Sequence, residues 1–383
     1  MKFFHTADWH LGKLVQGVHM TEEQRHVLRQ FVDAVREEKP DAVVIAGDLY
    51  DRAVPPPEAV ALLDDVLWEI VMELKTPVIA VAGNHDSPGR LQFGGRLMQS
   101  NGFHIVGQMS VQLDPVVLTD SFGEVHFHLV PYCDPSIVKH LYEDNDVVDH
   151  HTAMEKVVER IRKSMDGNAR HVFVGHAFVT PFGEEEENTS DSERPLAIGG
   201  AEYVAAHLFT QFDYTALGHL HQAHYVHNEK IRYSGSPMKY SISEERHAKG
   251  FFIVDMDGEG NVEVEKRALN PLHDMRTVEG TIEEILAHPP SNDYVFVRLH
   301  DETPVLFPME KVKSVYPNAM HIERKLVRTS ATIEHQSAAV KEKPDDMTLF
   351  RFFYSEMNDR EPDAETEKIF AEVLQEVKGG GEK

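Results

Sequence analysis

The sequence predicts an α/β fold, a sandwich of sheet and helices followed by a small α/β unit and a helical tail. Short apolar runs rich in Val, Ile and Phe alternate with amphipathic helical stretches through the first half of the chain. Those runs end in Gly and polar residues, as strand-to-loop junctions do. The length of 383 residues exceeds one comfortable core, and 41% hydrophobic with 27% charged residues is ordinary for a globular protein.

Taken in order, Lys2–Thr6, Ala42–Ala46 and residues 78–82 read as buried strands. Between the first two, Thr21-Glu22-Glu23-Gln24 has capping-box form, and Val27, Leu28, Phe31, Val32 and Val35 continue it as a helical stripe. A second helix is expected over 57–74, with Pro in its first turn. Beyond residue 125 strands dominate: 125–130, 171–175, Tyr214–Gly218, 231–234, 251–255 and Val262–Ala268, with one helix over 152–164. Residues 183–195 read as a polar loop, with Glu184 to Glu187 a solvated face. A composition shift at Asn270-Pro271 marks the small α/β unit. Its signals are a capping box at Thr281-Ile282-Glu283-Glu284, strands at Tyr294–Leu299 and 321–327, and a helix over 309–315. Residues 337–346 look like a linker. An aromatic-rich cluster of Leu349, Phe350, Phe352 and Phe353 and a helical stripe through Ile369, Phe370, Val373, Leu374 and Val377 follow, and Gly379-Gly380-Gly381 reads as a frayed end.

The net charge of −26 lies mostly in residues 1–280. A chain that grips nucleic acid unaided usually carries a basic footprint, so a polyanionic substrate would be held here by cations, local patches or a partner. One cysteine, Cys133, excludes an internal disulfide framework and fits a reducing compartment. The N-terminus lacks signal-peptide form, and no apolar run is long enough to span a bilayer, so a cytoplasmic location is expected.

Five junctions carry metal-binding side chains: Asp8-Trp9-His10, Gly47-Asp48, Gly83-Asn84-His85-Asp86, Gly175-His176 and Gly218-His219-Leu220-His221. Asp8 with His10, and His219 with His221, sit two residues apart, which in extended chain places each pair on one side. Asp48 can bridge two cations through its two oxygens, Asn84 offers an amide oxygen, and His176, His219 and His221 offer nitrogens. That donor set suits two divalent cations acting on phosphate esters, and by its chemistry allows manganese, iron or zinc. His85 is the candidate for stabilising the transition state or protonating the leaving oxygen, with Asp86 orienting it. A lone histidine after a strand is commonly a satisfied polar residue. His5 therefore reads as core, His150 and His151 as helix-opening residues, and His126 and His128, alternating with Phe127 and Leu129, as an exposed strand face.

These motifs, with Ala46-Gly47-Asp48, Ala82-Gly83-Asn84-His85-Asp86-Ser87 and Leu217-Gly218-His219-Leu220-His221 written in full, resemble those of the calcineurin-like metallophosphoesterases. The form His5-Thr6-Ala7-Asp8-Trp9-His10-Leu11-Gly12-Lys13 resembles the nuclease subunits of the SbcC–SbcD type. Tyr233-Ser234-Gly235-Ser236-Pro237 and Gly199-Gly200-Ala201-Glu202-Tyr203-Val204 support that match. The resemblance implies a β-sandwich flanked by helices over 1–270. It further implies a DNA-facing cap over 271–335, a linker over 336–347 and a partner-docking helical segment over 348–378. It implies two metal ions, typically Mn2+, one held by Asp8, His10, Asp48 and His221, the other by Asp48, Asn84, His176 and His219. DNA ends and hairpins would be the substrate and a coiled-coil ATPase of SbcC type the partner. A homodimer is implied too, with Leu62, Leu63, Val66, Leu67 and Leu97 as possible contributors. Two alternatives stand beside this: a phosphodiesterase for nucleotides or other small phosphoesters, and a catalytically silent scaffold.

Overall fold

The structure, a computed structural model, describes residues 1–183, 190–193, 196, 202–324, 346–358 and 361–379. Two six-stranded sheets form its centre. The first runs in the order Val262–Ala268, Gly250–Met256, Lys2–Thr6, Ala42–Ala46, Val78–Val81 and Phe103–Val106. The second runs His224–Tyr225, Ile231–Tyr233, Tyr214–Gly218, Arg170–His176, Gly123–Val130 and Val116–Asp120.

The sheets pack face to face over Phe3, Val44, Ile79, Phe127, Val172 and Tyr214. Helices cover both outer faces. Thr21–Glu38 and Pro57–Leu67 lie on the first sheet, and His150–Ser164 lies on the second. Central strands are therefore buried on both sides, which is why Ala42–Ala46 is apolar at every position. His128 follows the same rule. It is 2% exposed and bonds His171, so the open strand face expected for it is a covered one.

Pro57 occupies the first turn of its helix, which passes at Trp68 into a π-helical stretch ending at Glu73. The first helix begins differently from expectation. Its N-cap is Met20 with no side-chain cap bond, so Thr21 lies inside the helix and there is no capping box. Gln24 serves the adjacent loop instead, donating to the Trp9 and His10 carbonyls and accepting from Gly12 N–H. Leu62, Leu63 and Val66 face inward and are buried, so they belong to the core and not to a subunit interface; Leu97 is exposed.

Residues 271–324 belong to the same compact unit as the sandwich, Met1–Lys325. Three parallel strands, Met275–Gly280, Tyr294–Leu299 and Ala319–Arg324, carry the helices Ile282–Leu286 and Pro308–Lys313 over their own apolar cluster. The Thr281–Glu284 capping box is present. Buried Glu23 ties this cap to the sandwich, accepting from the N–H groups of Leu272 (2.9 Å) and His273 (3.3 Å).

The second unit, Leu326–Lys383, contains the helices Asp346–Asn358 and Ala364–Gly379. Phe350 stacks on Phe370 at 3.9 Å, and Arg351 pairs with Glu367. Leu349, Phe353, Ile369 and Val373 are exposed. Glu184 to Glu187, Gly199 to Ala201 and the expected linker up to residue 345 lie outside the described residues.

Candidate metal centre

In both sheets the chemistry-bearing side chains sit at or just past the C-terminal ends of parallel strands. Register aligns Ala46 with Val81 and Gly218 with His176, so the loops that follow emerge side by side. The loops are stitched by backbone bonds, Asp8 N–H to Gly47 O at 3.1 Å and His10 N–H to Asp48 O at 2.9 Å. A Cβ at Gly218 would collide with the Ala46 carbonyl, so this glycine is what lets the two sheets meet at the site. Asp8, His10, Asp48 and His219 all adopt positive φ, between 43° and 113°. Such conformations cost free energy outside glycine and persist where surrounding contacts fix them, as at functional sites.

The side chains converge. Nε2 of His10 and Nε2 of His221 face each other at 3.0 Å. One oxygen of Asp48, Oδ2, lies 3.6 Å from His10 Nε2 and 3.5 Å from His176 Nε2. Asn84 Oδ1 is 2.9 Å from His176 Nε2, and Asp8 accepts from the His219 N–H at 3.0 Å. The His219 ring stands against His176 and Phe178. Among the described residues, three groups place their donor atoms within 4.8 Å of one another: Asp8–His10–His221, Asp8–Asp48–His176 and His10–Asp51–His85.

Burial, then the neighbouring Asp48, pushes the Asp8 carboxyl well above its usual range. Burial also pushes His10, His176 and His219 down, which keeps their imidazoles neutral, the ligating form. Two buried carboxylates that repel and imidazoles that stay neutral fit divalent cations, which offset the first and bind the second.

His85 donates its backbone N–H to Asp48 Oδ1 at 2.9 Å, and its Nδ1 meets the Asp51 carbonyl oxygen at 2.8 Å. A carbonyl only accepts, so Nδ1 carries the hydrogen and Nε2 is left for chemistry. Asp86 does not orient His85. Its carboxylate accepts from the N–H groups of Leu49, Tyr50 and Gly83, so it is a loop clamp, and burial with nearby Asp48 pushes it up to about 8.

Several residues escaped the sequence reading. Ser192, Glu193, Glu244 and Lys249 all contact His221 or its immediate partners, and Ser192 and Glu193 come from the loop read as merely polar. Asp51, whose carbonyl holds His85, lies three residues beyond Asp48.

Residues 1–223 match the family model for the calcineurin-like phosphoesterases. The chain belongs to that family. Residues 271–358 match a domain described as the type 5 capsule protein repressor C-terminal domain. The SbcD subunit of the nuclease SbcCD from Staphylococcus epidermidis is 35% identical over 364 residues, 94% of each chain. Within the phosphoesterase family, the chain thus groups with the SbcD-type subunits. Among solved structures, a Thermus thermophilus protein matches with TM-score 0.38 and 11% identity, over 69% of this chain and 98% of its own. A dimetal phosphatase from Danio rerio matches with TM-score 0.38 and 13% identity, over 70% and 96%. The calcineurin-like fold implies divalent metals, and the three donor groups are candidates among the described residues to hold them.

Proposed function

We propose that this chain is the nuclease subunit of an SbcC–SbcD-type complex. It would be a metal-dependent DNA exonuclease and endonuclease that hydrolyses phosphodiesters at ends and hairpins during repair and recombination. The observation that carries the reading is Asp48 Oδ2, set between Nε2 of His10 and Nε2 of His176 at 3.6 and 3.5 Å. A carboxylate oxygen so placed, between two neutral imidazoles, suits a bridge between two cations.

Asp8, His10, Asp48 and His221 would hold one cation, and Asp48, Asn84, His176 and His219 the other, with Mn2+ the expected metal. Bound there, the pair supplies an activated water at neutral pH and charge to clamp the phosphate oxygens. The chain's own residues do the rest. Asp86 holds the loop backbone, and Asp51 aims His85 through Nδ1. With a second proton on Nε2, the His85 imidazolium would give that proton to the leaving oxygen, or stabilise the charge that develops on it, and leave as the Nδ1–H imidazole.

Residues 271–335 would face DNA as a cap. Residues 336–347 would be a linker, and 348–378 would dock on the coiled-coil ATPase through the exposed Leu349, Phe353, Ile369 and Val373. A partner with a basic surface would balance the charge of −26. A homodimer is part of the same reading, with exposed Leu97 and half-buried Leu67 as its possible contributors. Among the described residues no helix is long and apolar enough to cross a membrane, and we place the complex in the cytoplasm.

The test is Mn2+-supported cleavage of end-labelled hairpin and linear duplex DNA, alone and with the ATPase partner. Cleavage by the wild type that is lost in His85→Ala is the expected result. Hydrolysis of small nucleotide esters, with DNA intact even beside the partner, would replace this reading by the small-substrate one.

A further inference from the structure

His221 is gripped at every polar atom except one. Its N–H donates to Glu193 Oε1 at 2.6 Å. Its carbonyl accepts from Ser236 N–H at 3.2 Å and from the Lys249 ammonium at 2.8 Å. Its Nδ1 lies 3.0 Å from Glu244 Oε1 and 2.8 Å from Ser192 Oγ. Only Nε2 remains, and it looks into the metal centre toward His10.

The Tyr233-Ser234-Gly235-Ser236-Pro237 motif, which the nuclease chemistry leaves unexplained, belongs to this grip. Gly235, at φ 72°, packs so closely on the His221 carbonyl that a Cβ would come within 2.7 Å of its oxygen. Ser236 also accepts from Lys249 at 2.8 Å, and the Tyr233 hydroxyl donates to the Ala177 carbonyl at 2.7 Å, one residue beyond His176.

At the centre of the grip is Glu244, fully buried, whose Oε2 pairs with Lys249 Nζ at 2.5 Å. Lys249 has three hydrogens to give and can accept none. It therefore demands an oxygen from residue 244 and fixes which way that side chain faces. Ser192 donates its hydroxyl hydrogen to Glu244 Oε1. Both groups beside Nδ1, the Glu244 oxygen and the Ser192 oxygen, are then acceptors. The imidazole hydrogen must sit on Nδ1, and the lone pair on Nε2.

We propose that Glu244, oriented by Lys249, is a positioning residue that sets the tautomer and aim of His221 for metal binding. The proposal rests on the reading of His221 as a metal ligand. Carboxylates behind ligating histidines commonly act in this way, and their loss typically weakens metal binding by about 10–100-fold. A glutamine at 244 would not be neutral here. Lys249 would claim its carbonyl oxygen, turning the amide NH2 toward Nδ1 and forcing the hydrogen onto Nε2, where it blocks the lone pair.

The experiment is calorimetric titration of the full-length apoprotein with Mn2+ for the wild type, His221→Ala and Glu244→Gln, with circular dichroism to check folding. Two ions are expected in the wild type and one tight site in His221→Ala. In Glu244→Gln one of two sites should be weakened by about 10–100-fold at unchanged secondary structure. Wild-type affinity at both sites of Glu244→Gln overturns the positioning role, since a merely structural glutamate would lower Tm and leave Mn2+ binding alone. A wild type that fails to bind two ions, or His221→Ala binding as wild type does, overturns the ligand reading beneath it. Should Glu244→Gln not fold, 15N NMR of the wild-type apoprotein decides: Nδ1–H at His221 supports the proposal and Nε2–H sinks it.

Discussion

Two buried histidine clusters in this molecule look alike in their closest contact. His10 and His221 approach at 3.0 Å between ring nitrogens, and so do His128 and His171 on the second sheet. The surroundings separate them. The first pair has Asp8 and Asp48 within reach, both buried, and His10, like those two carboxylates and His219, adopts positive φ. The second pair lies on regular strands. His171 Nε2 is satisfied by the Asp166 carbonyl, and the ring of Phe212 packs against His128. Imidazole proximity alone therefore does not mark a metal centre. Buried carboxylates and strained chain, found together with it, do.

The largest effect is expected at Asp48. Asp48→Ala removes the oxygen between His10 and His176, and should abolish both Mn2+ binding and DNA cleavage. Two ions retained in a calorimetric titration would show that Asp48 is no bridge. His85→Ala comes next. It should keep both ions while turnover falls by about 10²–10⁴-fold, the usual worth of a general acid. Parallel loss of metal would make His85 a ligand.

The smallest effect belongs to the second cluster. His128→Leu should leave Mn2+ stoichiometry and cleavage unchanged and shift stability by about 1–3 kcal/mol, because His171 Nδ1 loses its partner. Its pH signature is sharper. Burial lowers the His128 pKa to about 3, so between that value and the ordinary 6.5 the unfolded chain binds a proton that the folded one refuses. Stability therefore falls as pH drops through this window, by up to about 1.4 kcal/mol per unit from this group. Denaturant titrations from pH 7 to 4 should show a shallower acid decline in His128→Leu. An identical slope would mean that His128 protonates freely in the folded state.

What the sequence revealed and concealed follows from the range of each signal. Asp8 with His10, and His219 with His221, could be read because strand, loop and i, i+2 spacing are local. The two sheets were legible through their apolar runs, and the helix at Pro57 through its proline. His128 was misread because alternation reports one covered face, whereas a helix covers the other face of that sheet. Gln24 looked like a cap because its spacing from Thr21 is right, while its actual partners, Trp9 and His10, lie in a different loop. Glu244 gave no signal, since it meets His221 across 23 residues with no repeat or spacing rule to announce it.

Glu244 has a neighbour with a different allegiance. Glu245 accepts from the backbone N–H and hydroxyl of Thr277 in the first cap strand, at 2.9 and 2.7 Å. Adjacent Cα atoms are fixed about 3.8 Å apart, so one short turn sets both where the cap sits and where an imidazole points. Surface turns usually absorb insertions and deletions freely. This one cannot, because a single added residue would pull one glutamate out of register with its partner, and relatives that vary in loop length should keep these two glutamates adjacent.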